Sequence, residues 1–179
     1  LRSISTLDRP AGFRPWLYRI AHNACVDTMR RRGRADEVLF DTAGIYGLSE
    51  YRIGKFLKTV KERPVLTTKL NVRPGENGQW LDYATELPYP TVRECVDHQV
   101  KKSLHNLGVD HVDVMQLHGL PPDEVFDEVT EALNDHVRAG RISFLGASCG
   151  GAQVPKLVEA GYSTLQLQYN MLGQGERND

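Results

Sequence analysis

The sequence predicts an α/β domain organised around a parallel sheet, and three observations carry that expectation. From about residue 36 short apolar runs alternate with helical patterns. Helix-start chemistry stands where two of those patterns open, and a glycine separates three of them from the next apolar run. The strand-like runs are Val38–Phe40, Val65–Thr68, Val112–Leu117, Ile142–Leu145 and Thr164–Leu167, with helical patterns near 50–60, 91–107, 123–139 and 152–160. Five strands joined by four crossover helices imply parallel pairing with right-handed connections.

Each element has its own warrant. Thr91 with Glu94 three residues later forms a capping box, and Pro122–Asp123 suits a helix start. Gly108, Gly140 and Gly161 stand where αβ loops take a left-handed residue. The stripes Val92, Val96, Val100, Leu104 and Phe126, Val129, Leu133, Val137 need a sheet to lie on. The connection over 71–90, with Pro74, Gly75, Gly78, Trp80, Pro88 and Pro90, follows the C-terminal end of a strand. Connections of that length are either functional or irregular insertions, and this one is placed to cover a substrate pocket.

The first segment reads differently. Over about 12–32, Phe13, Trp16, Leu17, Ile20, Ala21, Ala24, Cys25 and Met29 recur at helical steps, with Pro15 in the first turn. The run ends in Arg30, Arg31, Arg32, Gly33 and Arg34, a basic end that suits the helix dipole. Residues 1–35 hold eight Arg and two Asp, a net of +6, so the remainder of this chain of net charge −1 sums to −7. So sharp a step suggests two segments, 1–36 and 37–179.

Composition excludes several classes. With 40% apolar and 25% charged residues, the chain of 179 residues has a globular rather than a disordered balance. No apolar run approaches the ~20 residues of a membrane span, and the arginine-rich start is no signal peptide. Three widely spaced cysteines, Cys25, Cys95 and Cys149, without a C-x-x-C, argue against a disulfide framework or a zinc site. They fit a reducing cytoplasm, and Cys95 reads as a small core residue. The first residue is Leu1 rather than Met, which suggests a fragment.

The chemistry concentrates on Asp41, Tyr46, Lys69 and His118. In a parallel α/β fold the site lies at the C-terminal ends of the strands, and all four fall at or just beyond such ends. A tyrosine with a pKa of about 10 is a poor acid at neutral pH until an ammonium stabilises its phenolate. Lys69 is placed to do so, Asp41 to hold Lys69 by an ion pair, and His118 to hydrogen-bond a carbonyl oxygen. Together they would protonate an oxygen as hydride reaches the carbon. Any one of them alone is ordinarily structural or solvated; the case rests on the set.

The surrounding residues carry a resemblance. Phe40-Asp41-Thr42-Ala43-Gly44-Ile45-Tyr46-Gly47-Leu48-Ser49-Glu50, followed by Ile53-Gly54, resembles the F-D-T-A-x-x-Y-G-x-S-E-x-x-I-G signature of the aldo-keto reductases. Thr67-Thr68-Lys69, Gln116-Leu117-His118, Gly146-Ala147-Ser148 and Gln166-Leu167-Gln168-Tyr169-Asn170 continue the likeness in order, over roughly 38–172. The resemblance implies a (β/α)8 barrel, here partial, with about five parallel strands preceded by a basic helix. It implies reduction of an aldehyde, ketone or sugar carbonyl by a nicotinamide cofactor, NADP(H) ahead of NAD(H), and no metal. Asp41, Tyr46, Lys69 and His118 become the catalytic tetrad with Tyr46 the general acid. Ser148 and Gln166, with Asp41, become cofactor contacts. Many relatives have Asn where this chain has Cys149, a weak hydrogen-bonding group. No G-x-G-x-x-G follows a strand, which disfavours a Rossmann site.

Against a barrel of about 250 residues, the resemblance implies that the first βα unit and the last two are missing. Turnover by such a piece would be impaired, and its exposed sheet edges would favour oligomerisation. Residues 13–32 resemble the promoter-contacting helix of extracytoplasmic-function sigma factors. The alternative reading is therefore a DNA-binding segment, acting through residues 12–34, fused to a non-catalytic barrel fragment.

Overall fold

The computed structural model describes residues 39–167, and the expected basic helix over 12–32 lies outside them. The expected α/β order is present. Strand β1 (Leu39–Asp41) is followed by α1 (Ser49–Leu57), β2 (Val65–Leu70), and the short strands β3 (Val72–Pro74), β4 (Trp80–Asp82) and β5 (Pro88–Tyr89). Then come α2 (Val92–Leu107), β6 (Val112–Leu117), α3 (Asp123–Arg138), β7 (Ile142–Cys149), α4 (Val154–Glu159) and β8 (Thr164–Leu167). Strands β1, β2, β6, β7 and β8 pair in that order, all parallel, and form a curled half-barrel with crossover helices.

Because side chains alternate along a strand, the register assigns each residue to a face. The face towards the helices carries Leu66, Leu70, Met115, Leu117, Leu145 and Ala147, all buried. Beneath the helices they meet Val92, Val96, Val100 and Leu104 of α2 and Phe126, Val129 and Leu133 of α3. Both stripes pack as their spacing predicts. The Thr91 hydroxyl caps α2 by accepting from the Glu94 N–H at 3.2 Å, and Gly108 closes that helix at φ 65°. The inner face carries Asp41, Thr67, Lys69 and Gln116, with Leu39 and Phe144 more than half exposed near its lower end.

Two strands run further than their sequence suggests. Strand β2 continues through Lys69 to Leu70, and β7 continues through Gly146 to Cys149. The 71–90 connection is an antiparallel three-stranded meander, with Val72 opposite Asp82 and Trp80 opposite Tyr89. Its first turn takes left-handed Asn77 (φ 54°) and Gly78 (φ 74°), the Asn-Gly pair that favours tight hairpins. Asp82 fixes the second turn by accepting from the Ala84 N–H and the Thr85 hydroxyl, and it takes Lys102 from α2 at 3.3 Å.

Candidate active site

The two helices nearest the site are held by close contacts. Glu50, in the first turn of α1, is buried and accepts from the Thr68 hydroxyl at 2.7 Å and from Asn106 Nδ2 at 3.0 Å. One turn on, Gly54 lets α1 ride directly on the end of α2, since a Cβ there would lie 2.5 Å from the Asn106 carbonyl oxygen. These contacts fix the turn between β1 and α1. Within it the Tyr46 N–H donates to the Ala43 carbonyl, the Ser49 N–H to the Tyr46 carbonyl, and the Thr42 hydroxyl to Ser49 Oγ.

Tyr46 therefore projects from a braced turn, and the residue is 37% exposed, open to a ligand. Its hydroxyl lies 3.0 Å from His118 Nε2, the two rings meeting edge to face. His118 directly follows β6, and its N–H donates to the Leu70 carbonyl at 2.8 Å. Lys69 is buried on the inner face of β2. Its ammonium forms an ion pair with Asp41 Oδ1, donates to the Thr42 carbonyl at 3.3 Å, and lies 5.9 Å from the Tyr46 ring centre. All four predicted tetrad residues thus meet at one rim.

The electrostatics follow from that gathering. Burial, and after it the Lys69 charge, holds the His118 imidazole below its ordinary value of 6.5. It is therefore neutral at neutral pH, with one ring nitrogen to donate and one to accept.

Ser148 and Gln166 are cross-strand partners on β7 and β8. Gln166 Nε2 donates to Asp41 Oδ2 at 2.9 Å, a bond between the two edge strands of the curled sheet. An ionised carboxylate only accepts, so the amide must turn its NH2 to Asp41 and keep its carbonyl oxygen for another partner. Sequence reasoning missed this bond, because nothing local relates residues 125 positions apart. It also passed over Gln116, which is buried in the register row of Lys69 with its Oε1 unpaired. Its only signal was its place two residues before His118, on the same face.

A pocket beside Lys69 and His118 is walled by Gly44 and Ile45 on one side and by Tyr83 and Ala84 of the meander on the other. The 71–90 segment therefore reaches the site, as its position suggested. Among the described residues no cluster of His, Cys, Asp and Glu could hold a metal ion, and no helix is long and apolar enough to cross a membrane.

A curled parallel half-barrel with a phenol, a buried lysine, a carboxylate and an imidazole at the C-terminal ends of its strands defines a barrel-type α/β protein with a polar rim site. The sequence profile of the Aldo/keto reductase family matches residues 16–179, and the chain belongs to that family. It is 30% identical over 131 residues to the aldo-keto reductase AFTS1 of Alternaria alternata, covering 61% of this chain and 35% of that protein. It is 26% identical over 174 residues to the NADH-specific methylglyoxal reductase of Escherichia coli, covering 92% of this chain and 53% of that protein. The structure of the aldo-keto reductase AKR11C1 from Bacillus halodurans shares the fold, with a TM-score of 0.62 at 28% identity over 82% of this chain and 47% of that one. The chain thus spans between about a third and half of the curated relatives it matches.

Proposed function

We propose that this chain carries the proton-donating site of an NAD(P)H-dependent carbonyl reductase, with Tyr46 as general acid. The observation behind the reading is the meeting of the Tyr46 hydroxyl with His118 at 3.0 Å, beside the Lys69–Asp41 pair. A carbonyl oxygen placed near the Tyr46 hydroxyl and His118 Nε2 takes the place each now gives the other. The neutral imidazole then donates to that oxygen, and the phenol supplies the proton that completes the alcohol. Lys69 stabilises the phenolate left behind, and Asp41 together with the Thr42 carbonyl fixes the ammonium for that task.

The side chains at the rim fit a nicotinamide cofactor. Ser148 and the carbonyl oxygen of Gln166 offer hydrogen-bonding groups suited to a carboxamide. When bound, the cofactor supplies the hydride. The resemblance favours NADP(H), although one relative is by name NADH-specific. The substrate class is a small aldehyde, ketone or sugar carbonyl, and the protein would act in the cytoplasm.

The test is binding of NADPH and of NADH, followed by cofactor fluorescence, and then oxidation of the bound cofactor on addition of an aldehyde. Saturable binding with aldehyde-dependent oxidation is expected. Binding of neither dinucleotide at millimolar concentration would overturn the reading.

A further inference from the structure

Gln116 is a polar side chain that the proposed reaction leaves without a task. It is only 7% exposed, and its Oε1 has no hydrogen-bond partner. It stands two residues before His118 and so shares its face. Across the sheet it is in register with Lys69 on β2 and with Gly146 on β7, and Gly146 is in turn opposite Thr164. The row through Lys69 therefore reads Lys69, Gln116, Gly146, Thr164.

Glycine is required at position 146. A Cβ there would lie 2.8 Å from Gln116 Cγ and also against the Thr164 hydroxyl. The Gln116 side chain therefore lies across the bare backbone at Gly146, and a larger residue there would evict it. This leaves a buried, unpaired carbonyl oxygen beside Lys69, whereas most buried polar atoms among the described residues are paired. Such an atom is costly until a donor reaches it.

The ligands of the proposed reaction differ in what they bring. The reacting oxygen of a carbonyl substrate is an acceptor and is met by Tyr46 and His118. The carboxamide of a nicotinamide ring carries N–H donors. Building on the function proposed above, we infer that Gln116 Oε1 accepts a hydrogen bond from the carboxamide N–H of the bound nicotinamide cofactor, making Gln116 a cofactor-binding residue.

The test compares NADP+ and NAD+ with their 3-acetylpyridine analogues, which replace the amide by a methyl ketone and so lack the donor. Binding to the wild-type chain and to Gln116→Met is measured by calorimetry, with no turnover required. Methionine keeps the volume and removes the acceptor. The amide dinucleotide is expected to bind about ten-fold more weakly to the variant, the loss of one neutral hydrogen bond. The acetylpyridine analogue is expected to bind both proteins equally, and the thermal midpoint of the variant is expected not to fall. Gln116→Asn withdraws the acceptor by one methylene and predicts the same selective loss, which covers a folding failure of the first variant.

Unchanged affinity for the amide form would overturn the inference alone. So would an equal loss for both forms, because a donating or merely packed side chain would act on both. Failure of the wild-type chain to bind either dinucleotide would instead overturn the function proposed above, and this inference with it.

Discussion

Gly54→Ala separates backbone packing from helix propensity, because the two predict opposite signs. Alanine in the middle of an exposed helix is worth about 1 kcal/mol over glycine. At position 54, however, the new Cβ would lie 2.5 Å from the Asn106 carbonyl oxygen and 2.7 Å from that of Leu107. Both obstacles are backbone at the end of α2, so neither rotates away. Reaching an ordinary contact requires α1 to retreat by about 0.9 Å, and forced overpacking of this kind costs roughly 1–3 kcal/mol. The retreat also pulls Glu50 from Thr68 and Asn106, two buried bonds of 2.7 and 3.0 Å, each worth about 1 kcal/mol. We therefore expect a net loss of about 3 kcal/mol after the propensity gain. Urea unfolding followed by circular dichroism reads it as a lower midpoint at an unchanged slope. A variant as stable as the parent, or more stable, would refute the close approach of α1 to α2 and with it the bracing of the Tyr46 turn.

Further expectations follow from buried groups elsewhere. Burial pushes the Cys95 thiol up to about 11, so iodoacetamide at pH 8 should leave it unmodified in the folded chain and alkylate it promptly in denaturant; fast labelling of the folded protein would contradict its burial. His136 is wholly buried between α2 and α3, accepting from Arg141 Nε at Nδ1 and donating through Nε2 to Asp97, which makes it a neutral imidazole. Burial first, and then the Arg141 and Lys101 charges, hold it below 6.5 despite Asp97. The unfolded chain therefore binds more protons, and stability should fall as pH drops below about 6.5 towards the lowered folded value. His136→Gln should lessen that fall, leaving the part owed to His118, which is likewise held below 6.5, and a profile identical to the parent's would exclude His136 as a source. Gly146→Ala should lower stability and cofactor affinity together, since the new methyl displaces Gln116; an effect on neither, in thermal melts and binding titrations, would contradict the packing of that row.

Much of this fold is legible in the sequence because its signals are local. The stripes of α2 and α3, the Thr91 cap and the left-handed Gly108 depend on residues a few positions apart. Strand ends are less legible where a residue is buried against its type. Lys69 reads as the end of a strand, yet it continues β2 because Asp41 and the Thr42 carbonyl satisfy its ammonium. The expected strand stops at Leu145, yet Gly146 sits within β7 because its neighbours occupy the space of a side chain. The meander reads as a loop because proline and glycine crowd it, although Asn77-Gly78 was a hairpin signal in plain view.

The site divides along the same line. Residues at strand ends can be placed from the order of elements alone, and so Asp41, Tyr46, Lys69 and His118 could be named together. The Gln166–Asp41 bond depends on how far the sheet curls to bring its first and last strands together. The unpaired oxygen of Gln116 depends on register and on the packing over Gly146. Neither quantity is carried by any short stretch of sequence.

The central claim is that Tyr46 gives up the proton in carbonyl reduction, and single-turnover oxidation of bound cofactor by an aldehyde in Tyr46→Phe tests it most directly. The variant lacks only the phenolic hydroxyl, so the rate should fall by at least about 100-fold. Cofactor affinity should stay within about two-fold of the parent, because in the proposed reaction the hydroxyl acts on the substrate oxygen. A variant that binds cofactor and oxidises it at the parental rate would contradict the account.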